Sequence, residues 1–220
     1  MPKIAASLVF PIVSPPVRNA VIELDNSGMI ISVSRGQLSF REQASVEYHS
    51  GIIIPGLADV MCGDRENLWL LERGIRVGGR TGDTDTGDQR EQGLFSWVSL
   101  YGKKLDFRVF QDMEHFFQCF DRTSVKWIFR ASDKDGALPV IATFGQMEMI
   151  KLLYKLQEAS GKFTLPLLFN MATINGATAI GCNNTTGSIE PGKTPGLNII
   201  EGADINGMRL LPDSRLRKIY

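Results

Sequence analysis

The stretch 167–201 leaves the fewest choices for the fold. Leu167, Met171, Ile174 and Thr178 recur at helical spacing, so one face of a helix can be buried there. Gly181 stands where a helix needs a residue that takes positive φ without steric cost. Pro191-Gly192 is turn punctuation, and 197–201, Leu-Asn-Ile-Ile-Glu, is a short apolar run of strand type. Helix, glycine stop, turn and strand are therefore expected in that order.

The chain before this stretch divides into readable ends and an unusual middle. Residues 4–13 read as a first strand, and the runs 20–24 and 29–33 as two more. Between those two, Asp25-Asn26-Ser27-Gly28 is hairpin chemistry, because Asn and Gly tolerate positive φ. Residues 37–50 are polar and read as loop, with room for a weak strand. Ile52-Ile53-Ile54 is a buried-type strand stopped by Pro55-Gly56. Residues 68–71 form a short apolar cluster, whereas 78–93 carry no large apolar side chain. Such a segment cannot offset its ordering entropy by burial and reads as a mobile loop. Residues 111–122 suit a helix, 125–129 and 140–142 short strands. The strongest helix is 147–159, with Met149, Leu152, Leu153 and Leu156 near one face and Gly161 as its stop. Thr164 then offers an N-cap, with Pro166 in the next helix's first turn, where its missing N–H costs nothing.

Charge and cysteine usage narrow the class. Lys+Arg and Asp+Glu are both 24 in 220 residues, so the net charge is zero. Nucleic acid and acidic membranes select a basic surplus, so neither is an expected partner, although 209–218 is locally basic. The three cysteines, Cys62, Cys119 and Cys182, form no C-x-x-C and no even framework, which fits a reducing, cytoplasmic setting. No apolar run reaches the roughly 18 residues of a membrane span. Residues 5–13 after Lys3 have the length of a signal-peptide core, but Pro11 interrupts them and a first strand is the simpler reading.

Isolated motif candidates fail on chemistry. Asp83-Thr-Asp85-Thr-Gly-Asp88 starts like a calcium loop but has Gly87 and Asp88 in the wrong order for an EF-hand. Gly78-Gly79-Arg80-Thr81-Gly82 lacks the Gly-Lys-Ser/Thr ending of a P-loop, and Lys193 leads into a strand instead of a helix. The chain has only two histidines, His49 and His115. His115 and Cys119 stand at i, i+4 but have no third ligand by spacing. Asp133 and Asp135 are loop acids with no partner by spacing, and Phe116, Phe117 and Phe120 read as core.

ATINGATAIG (172–181) followed by GSIEPGKTPGLNIIEG (187–202) closely resembles the C-terminal signature of the amidohydrolase superfamily, in its chlorohydrolase and cytosine-deaminase-like branch. RNAVIELDNSGMIISVSRG (18–36) resembles that family's opening hairpin, and GIIIPGLADV (51–60) its strand into the barrel. The resemblance implies a composite β-sandwich built from 1–55 and 187–220, with 56–186 as an α/β (β/α) barrel. It also implies metal-dependent hydrolysis of carbon–nitrogen bonds, with zinc or iron at the barrel mouth. There the metal lowers the pKa of a bound water.

The same resemblance exposes what this chain lacks. The family's His-x-His pair follows the Pro-Gly; here Met61 and Gly63 occupy those positions. A thioether is a poor ligand for zinc or iron, and glycine has no side chain. LPVIATFGQMEMIKLLYKLQ (138–157) resembles the family's later Asp-containing block, and a gapless alignment puts Pro139 in place of the aspartate. Residues 56–186 are also only about half of the roughly 250 that a full barrel takes. The expectation is a partial barrel with no catalytic, cofactor-binding or metal-binding residues, and hence a catalytically silent family member. Open barrel strands would leave that layer less protected or covered by self-association. Two alternatives stay open: an active hydrolase that borrows or rearranges its ligands, and a binding module on an unrelated α/β fold.

Overall fold

The computed structural model describes residues 1–35, 45–59, 74–80, 96–99, 128–133, 136–141, 148–159, 161 and 163–220. Its strands are β1 (Lys3–Val9), β2 (Val17–Leu24), β3 (Ile30–Arg35), β4 (Val46–Pro55), β5 (Leu57–Asp59), β6 (Ile75–Arg80), β7 (Ser96–Ser99), β8 (Ile128–Asp133), β9 (Gly136–Ile141), β10 (Leu197–Glu201) and β11 (Arg215–Lys218). The described helices are α1 (Met149–Ala159), α2 (Leu165–Ala172) and α3 (Ile174–Ile180).

Both chain ends share one six-stranded sheet of order β11-β10-β4-β1-β2-β3. All its pairings are antiparallel except β1 with β4. The alternation of a pleated strand divides its side chains between two cores. Ile52 and Ile54 of β4 face the helices, together with Leu8, Phe10 and Ile200. Ile53 points the other way, into a second core with Ile4, Ile22, Leu24, Ile30 and Ile199. A register shift between Ala6 and Leu8 lets β1 supply both cores.

The sheet curls around the second core until its two edges approach. Tyr220, just past β11, donates its hydroxyl to the carbonyl of Asp25 in the β2–β3 turn at 3.4 Å. A Cβ on Gly28 of that turn would lie 2.6 Å from the Tyr220 ring, so glycine is required there. Ile30 N–H donates to the Lys193 carbonyl at 2.8 Å, and Gly192 N–H to the Ile30 carbonyl at 2.9 Å. The described strands of the two ends thus form one curled sheet.

Next to it, β5, β6 and β7 run parallel, as consecutive strands of a β/α barrel do. Strands β8 and β9 depart from that pattern by forming an antiparallel pair. α1 and α2 pack into the first core, and α3 lies against β5, β8 and β9. Phe10 and Phe169 meet edge to face, centroids 4.9 Å apart and planes at 87°, a preferred aromatic geometry.

Several local expectations hold. Met149, Leu152, Leu153 and Leu156 of α1 are buried, while Lys151, Lys155 and Glu158 are exposed. Gly181 ends α3 in the left-handed conformation at φ 80, and Cys182 N–H reaches back to the Ala177 carbonyl at 2.8 Å. Asp25 accepts from the N–H groups of Ser27 and Met29 and from the Ser27 hydroxyl, closing the expected hairpin.

Others are corrected. The first strand stops at Val9 instead of 13, because Pro11 cannot donate and Ile12 takes a positive φ of 83. Residues 46–50 are not loop but the start of β4, since β1 pairs with them in register despite their polarity. Residues 78–80, expected in a mobile loop, continue β6 beside β7. The single helical face drawn through Leu167, Met171, Ile174 and Thr178 is broken at Thr173 (φ −130, ψ −92), whose hydroxyl donates to the Phe169 carbonyl at 2.6 Å. The buried residues are Leu165, Leu168, Phe169, the expected Met171 and Ala172 in α2, and Gly176, Ala177 and Ile180 in α3. Thr164 does occupy the N-cap with Pro166 in the first turn, but its side chain makes no capping bond. The expected apolar cluster at 68–71, the helix at 111–122 and the calcium-like run at 83–88 lie outside the described residues.

Two stability measurements check this packing. Gly176 sits against β5, where an added Cβ would lie 2.8 Å from the Ala58 carbonyl oxygen. Gly176→Ala should therefore destabilise by about 1–3 kcal/mol by overpacking, read as a lower urea midpoint, although alanine is the better helix former. Thr164→Ala should cost well under the ~1 kcal/mol of an ordinary N-cap loss; a full-sized loss would show that the hydroxyl caps the helix in solution.

Candidate functional site

A parallel β/α layer places its chemistry at the carboxyl ends of its strands. Here β5 ends at Asp59, β6 at Arg80 and β7 at Ser99. The register lines Asp59 up with Gly78, and Gly78 with Trp97. Asp59 is fully buried, at 0% exposure, and takes part in a polar or electrostatic contact. A buried carboxylate without a partner would be very costly, so that engagement is what its position demands.

Among the described residues, the donors at this mouth do not make up a zinc or iron site. Among the described residues no group of three or more His, Cys, Asp and Glu could hold a metal. Met61 and Gly63, at the His-x-His positions, lie outside the described residues, and their chemistry offers at most a weak thioether donor. His115 and Cys119 also lie outside them. Pro139 lies in β9, opposite Arg130 of the antiparallel pair, and offers neither acid nor base. His49 lies in β4, opposite Ala6 of β1, with Nε2 3.1 Å from Glu47 Oε1. It belongs to the end sheet and not to a barrel strand.

Three polar side chains do converge elsewhere, in the turn after α3. Lys193 Nζ donates to Ser188 Oγ at 2.7 Å and to Glu190 Oε2 at 2.6 Å, and the Ser188 hydroxyl donates to Glu190 Oε2. Lys193 and Ser188 both hold the Glu190 carboxyl below its ordinary value near 4.5. Serine, lysine and glutamate invite comparison with a serine–lysine nucleophile, but Ser188 is fully buried. The Ser188 hydroxyl donates to the Glu190 carboxyl and Lys193 Nζ donates to both, so the three groups are tied to one another. Around them, Ile189 N–H donates to the Pro11 carbonyl at 3.0 Å and Thr194 N–H to the Thr185 carbonyl at 2.9 Å. The cluster is a clamp that ties the turn to the sheet. Sequence reading noted its Gly-x-x-x-x-Gly-Lys spacing without finding the cluster; the signal was three complementary polar side chains within six residues of a glycine-bounded turn.

At the seam between the two sheets, Lys218 of β11 approaches Arg76 of β6. Burial first, and then the Arg76 charge, push the Lys218 ammonium below the ordinary lysine range.

A model of the amidohydrolase family matches residues 111–218. The chain is similar to an adenosine deaminase from Xanthomonas campestris with bound zinc (11% identity, TM-score 0.55, covering 96% of this chain and 86% of that one). It is also similar to Helicobacter pylori aminofutalosine deaminase in complex with methylthio-coformycin (9%, 0.57, 93% and 93%). A third likeness is to E. coli guanine deaminase (10%, 0.57, 91% and 88%). At these identities the likeness is one of fold. No curated protein matches the chain significantly.

The clamp makes a pH prediction. Glu190 binds its proton less readily folded than unfolded, so the unfolded chain takes up more protons in acid. Its contribution to stability is present above about pH 4.5 and is lost as pH falls through the lower folded value. Glu190→Gln should therefore flatten the decline in urea stability across that window and lower stability near neutrality. A variant with the wild-type acid slope would show that the carboxylate is not held by Lys193 in solution.

Proposed function

We propose that this chain, which belongs to the amidohydrolase family, keeps the family scaffold but does not perform the family's metal-dependent hydrolysis of carbon–nitrogen bonds. The observation that carries the reading is the histidine count. The chain has two histidines in all, one of which, His49, lies in the end sheet with Nε2 3.1 Å from Glu47 Oε1. A metal held at a barrel mouth by a His-x-His pair and further histidines cannot be assembled from the other one alone. Met61, Gly63 and Pro139, at the positions where the resemblance calls for ligands, support the same reading.

In this proposal the two chain ends form the family's small β-sandwich around the second core, and 56–186 a shortened barrel. The parallel and antiparallel strand sets support that division. The role left to such a chain is that of a non-catalytic partner, with no cofactor of its own. Balanced charge speaks against nucleic acid or an acidic membrane as that partner, and no helix among the described residues is long and apolar enough to cross a membrane. Cysteine usage suits a reducing, cytoplasmic setting. Among the described residues β5 and β7 each pair on one side only, which favours self-association through those strands.

Family membership itself favours a second reading, an active hydrolase or deaminase whose site is completed by another chain. Elemental analysis separates the two. Purified protein should hold no stoichiometric zinc, iron or manganese at any oligomeric state. One equivalent of tightly held metal, with ammonia released from an aminated purine, would overturn the silent reading and support the completed site.

A further inference from the structure

We infer that Asn206-Gly207, at the tip of the arm joining β10 to β11, is a modification site where the folded protein loses a side-chain amide to water without an enzyme. Asn206 and Gly207 are both exposed. They sit in a turn closed by two backbone bonds between Asp204 and Arg209, at 2.9 and 3.0 Å. Gly207 cannot be exchanged freely, because a Cβ there would run into the Asp204 carboxylate. Glycine thus follows an asparagine in an exposed turn, with no side chain of its own beside its amide nitrogen, whose N–H donates to Asp204 Oδ1 at 2.9 Å.

The reaction balances with water as its only co-reactant. The turn opens far enough to release the Gly207 N–H from Asp204 Oδ1, and the amide nitrogen then gives up its proton to solvent and attacks Cγ of Asn206. The bond from Cγ to the side-chain nitrogen breaks, and ammonia leaves, closing a five-membered succinimide. Water then opens either carbonyl of the ring, leaving aspartate or isoaspartate at position 206. During the attack negative charge develops on Oδ1 of Asn206. Arg18 Nη1 already donates to that oxygen at 3.2 Å, so a guanidinium stands where the oxyanion forms.

The other Asn-Gly step in the chain, Asn175-Gly176, has the opposite setting. It lies inside α3, with Gly176 buried against Ala58. Reaction in the exposed turn also has structural consequences of its own. Conversion at 206 sets a carboxylate beside Arg18 and close to Asp204, and isoaspartate adds a backbone atom to the turn. Leu210 and Arg209, just beyond, fasten the arm to α1: Gln157 exchanges two hydrogen bonds with the Leu210 backbone, at 2.8 and 3.0 Å, and Arg209 meets Glu158 at 2.8 Å. Modification would load this fastening first.

The test ages the folded full-length chain at mildly alkaline pH and maps peptides by mass, with isoaspartate-specific methyl transfer as a second readout. The expected result is a shift to more acidic species, with the amide-to-acid mass gain in the peptide containing 206 and none in that containing 175. Asn206→Gln, whose ring closure would need six members, should lose the acidic shift while keeping its circular dichroism. An unchanged 206 peptide after ageing would overturn the proposal. So would equal conversion at 175 and 206, because that pattern reports the unfolded chain and not the turn.

Discussion

One carbonyl oxygen joins the two halves of this fold. Gly74, at the entry to β6, accepts the Leu57 N–H at 2.9 Å and the Asn198 Nδ2 at 2.7 Å. The first bond starts the parallel sheet and the second comes from β10 of the end sheet, so both sheets take their relative position from the same atom. Asn198 is buried, and a buried amide left unmatched would cost about 1–3 kcal/mol. Gly74 can present its carbonyl this way because its φ is 73 and because a Cβ would lie 2.6 Å from Asn198 Nδ2. Gly56 N–H, bonded at 3.2 Å to the carbonyls of Pro195 and Gly196, closes the same seam from the β4–β5 side.

Burial organises the rest of the fold around that seam. β4 is the shared spine: its isoleucines alternate between the helix-covered core and the core inside the curled sheet. A one-residue slip in β4 would exchange the two cores, so β1 and β10, which pair on either side of it, set the register jointly. The clamp of Ser188, Glu190 and Lys193 secures the far side of the curl, where Lys193 also offers its carbonyl to Ile30. Polar groups thus fix where the apolar surfaces meet, and the apolar surfaces supply the bulk of the stabilisation.

What the sequence made legible was whatever local chemistry decides. Gly181 as a helix stop, the hairpin turn at 25–28 with Gly28 at positive φ, and the apolar face of α1 each depend on residues a few positions apart, and each is as expected. The misreadings have a common cause in distant partners. Residues 46–50 are polar, yet β1 recruits them as strand; residues 78–80 lack apolar bulk, yet β7 does the same. The break at Thr173 was invisible because its hydroxyl answers to a carbonyl in the preceding turn, and hydropathy does not register that. The reading of an unrelated α/β module is excluded by the family match and by the likeness of fold. At the site, sequence was informative in a different way: two histidines in the chain limit any metal centre, whatever the backbone does.

The proposed reading, a scaffold kept beside a ligand-poor mouth, has a physical rationale. Imidazoles and carboxylates gathered to hold a metal repel one another and resist burial when the metal is absent. Such a set lowers the stability of the chain that carries it, which is the usual trade between a working site and a stable fold. In the proposed reading, Met61, Gly63 and Pro139 bring no imidazole or carboxylate to those positions. The end sheet, the seam at Gly74 and the helix-covered core contain none of the family's ligand positions. In that reading, loss of the ligands would take nothing from the strand pairings that hold the two chain ends together. The curled sheet is held by residues of the two chain ends, and Gly74 is where it shares a bond with the parallel layer.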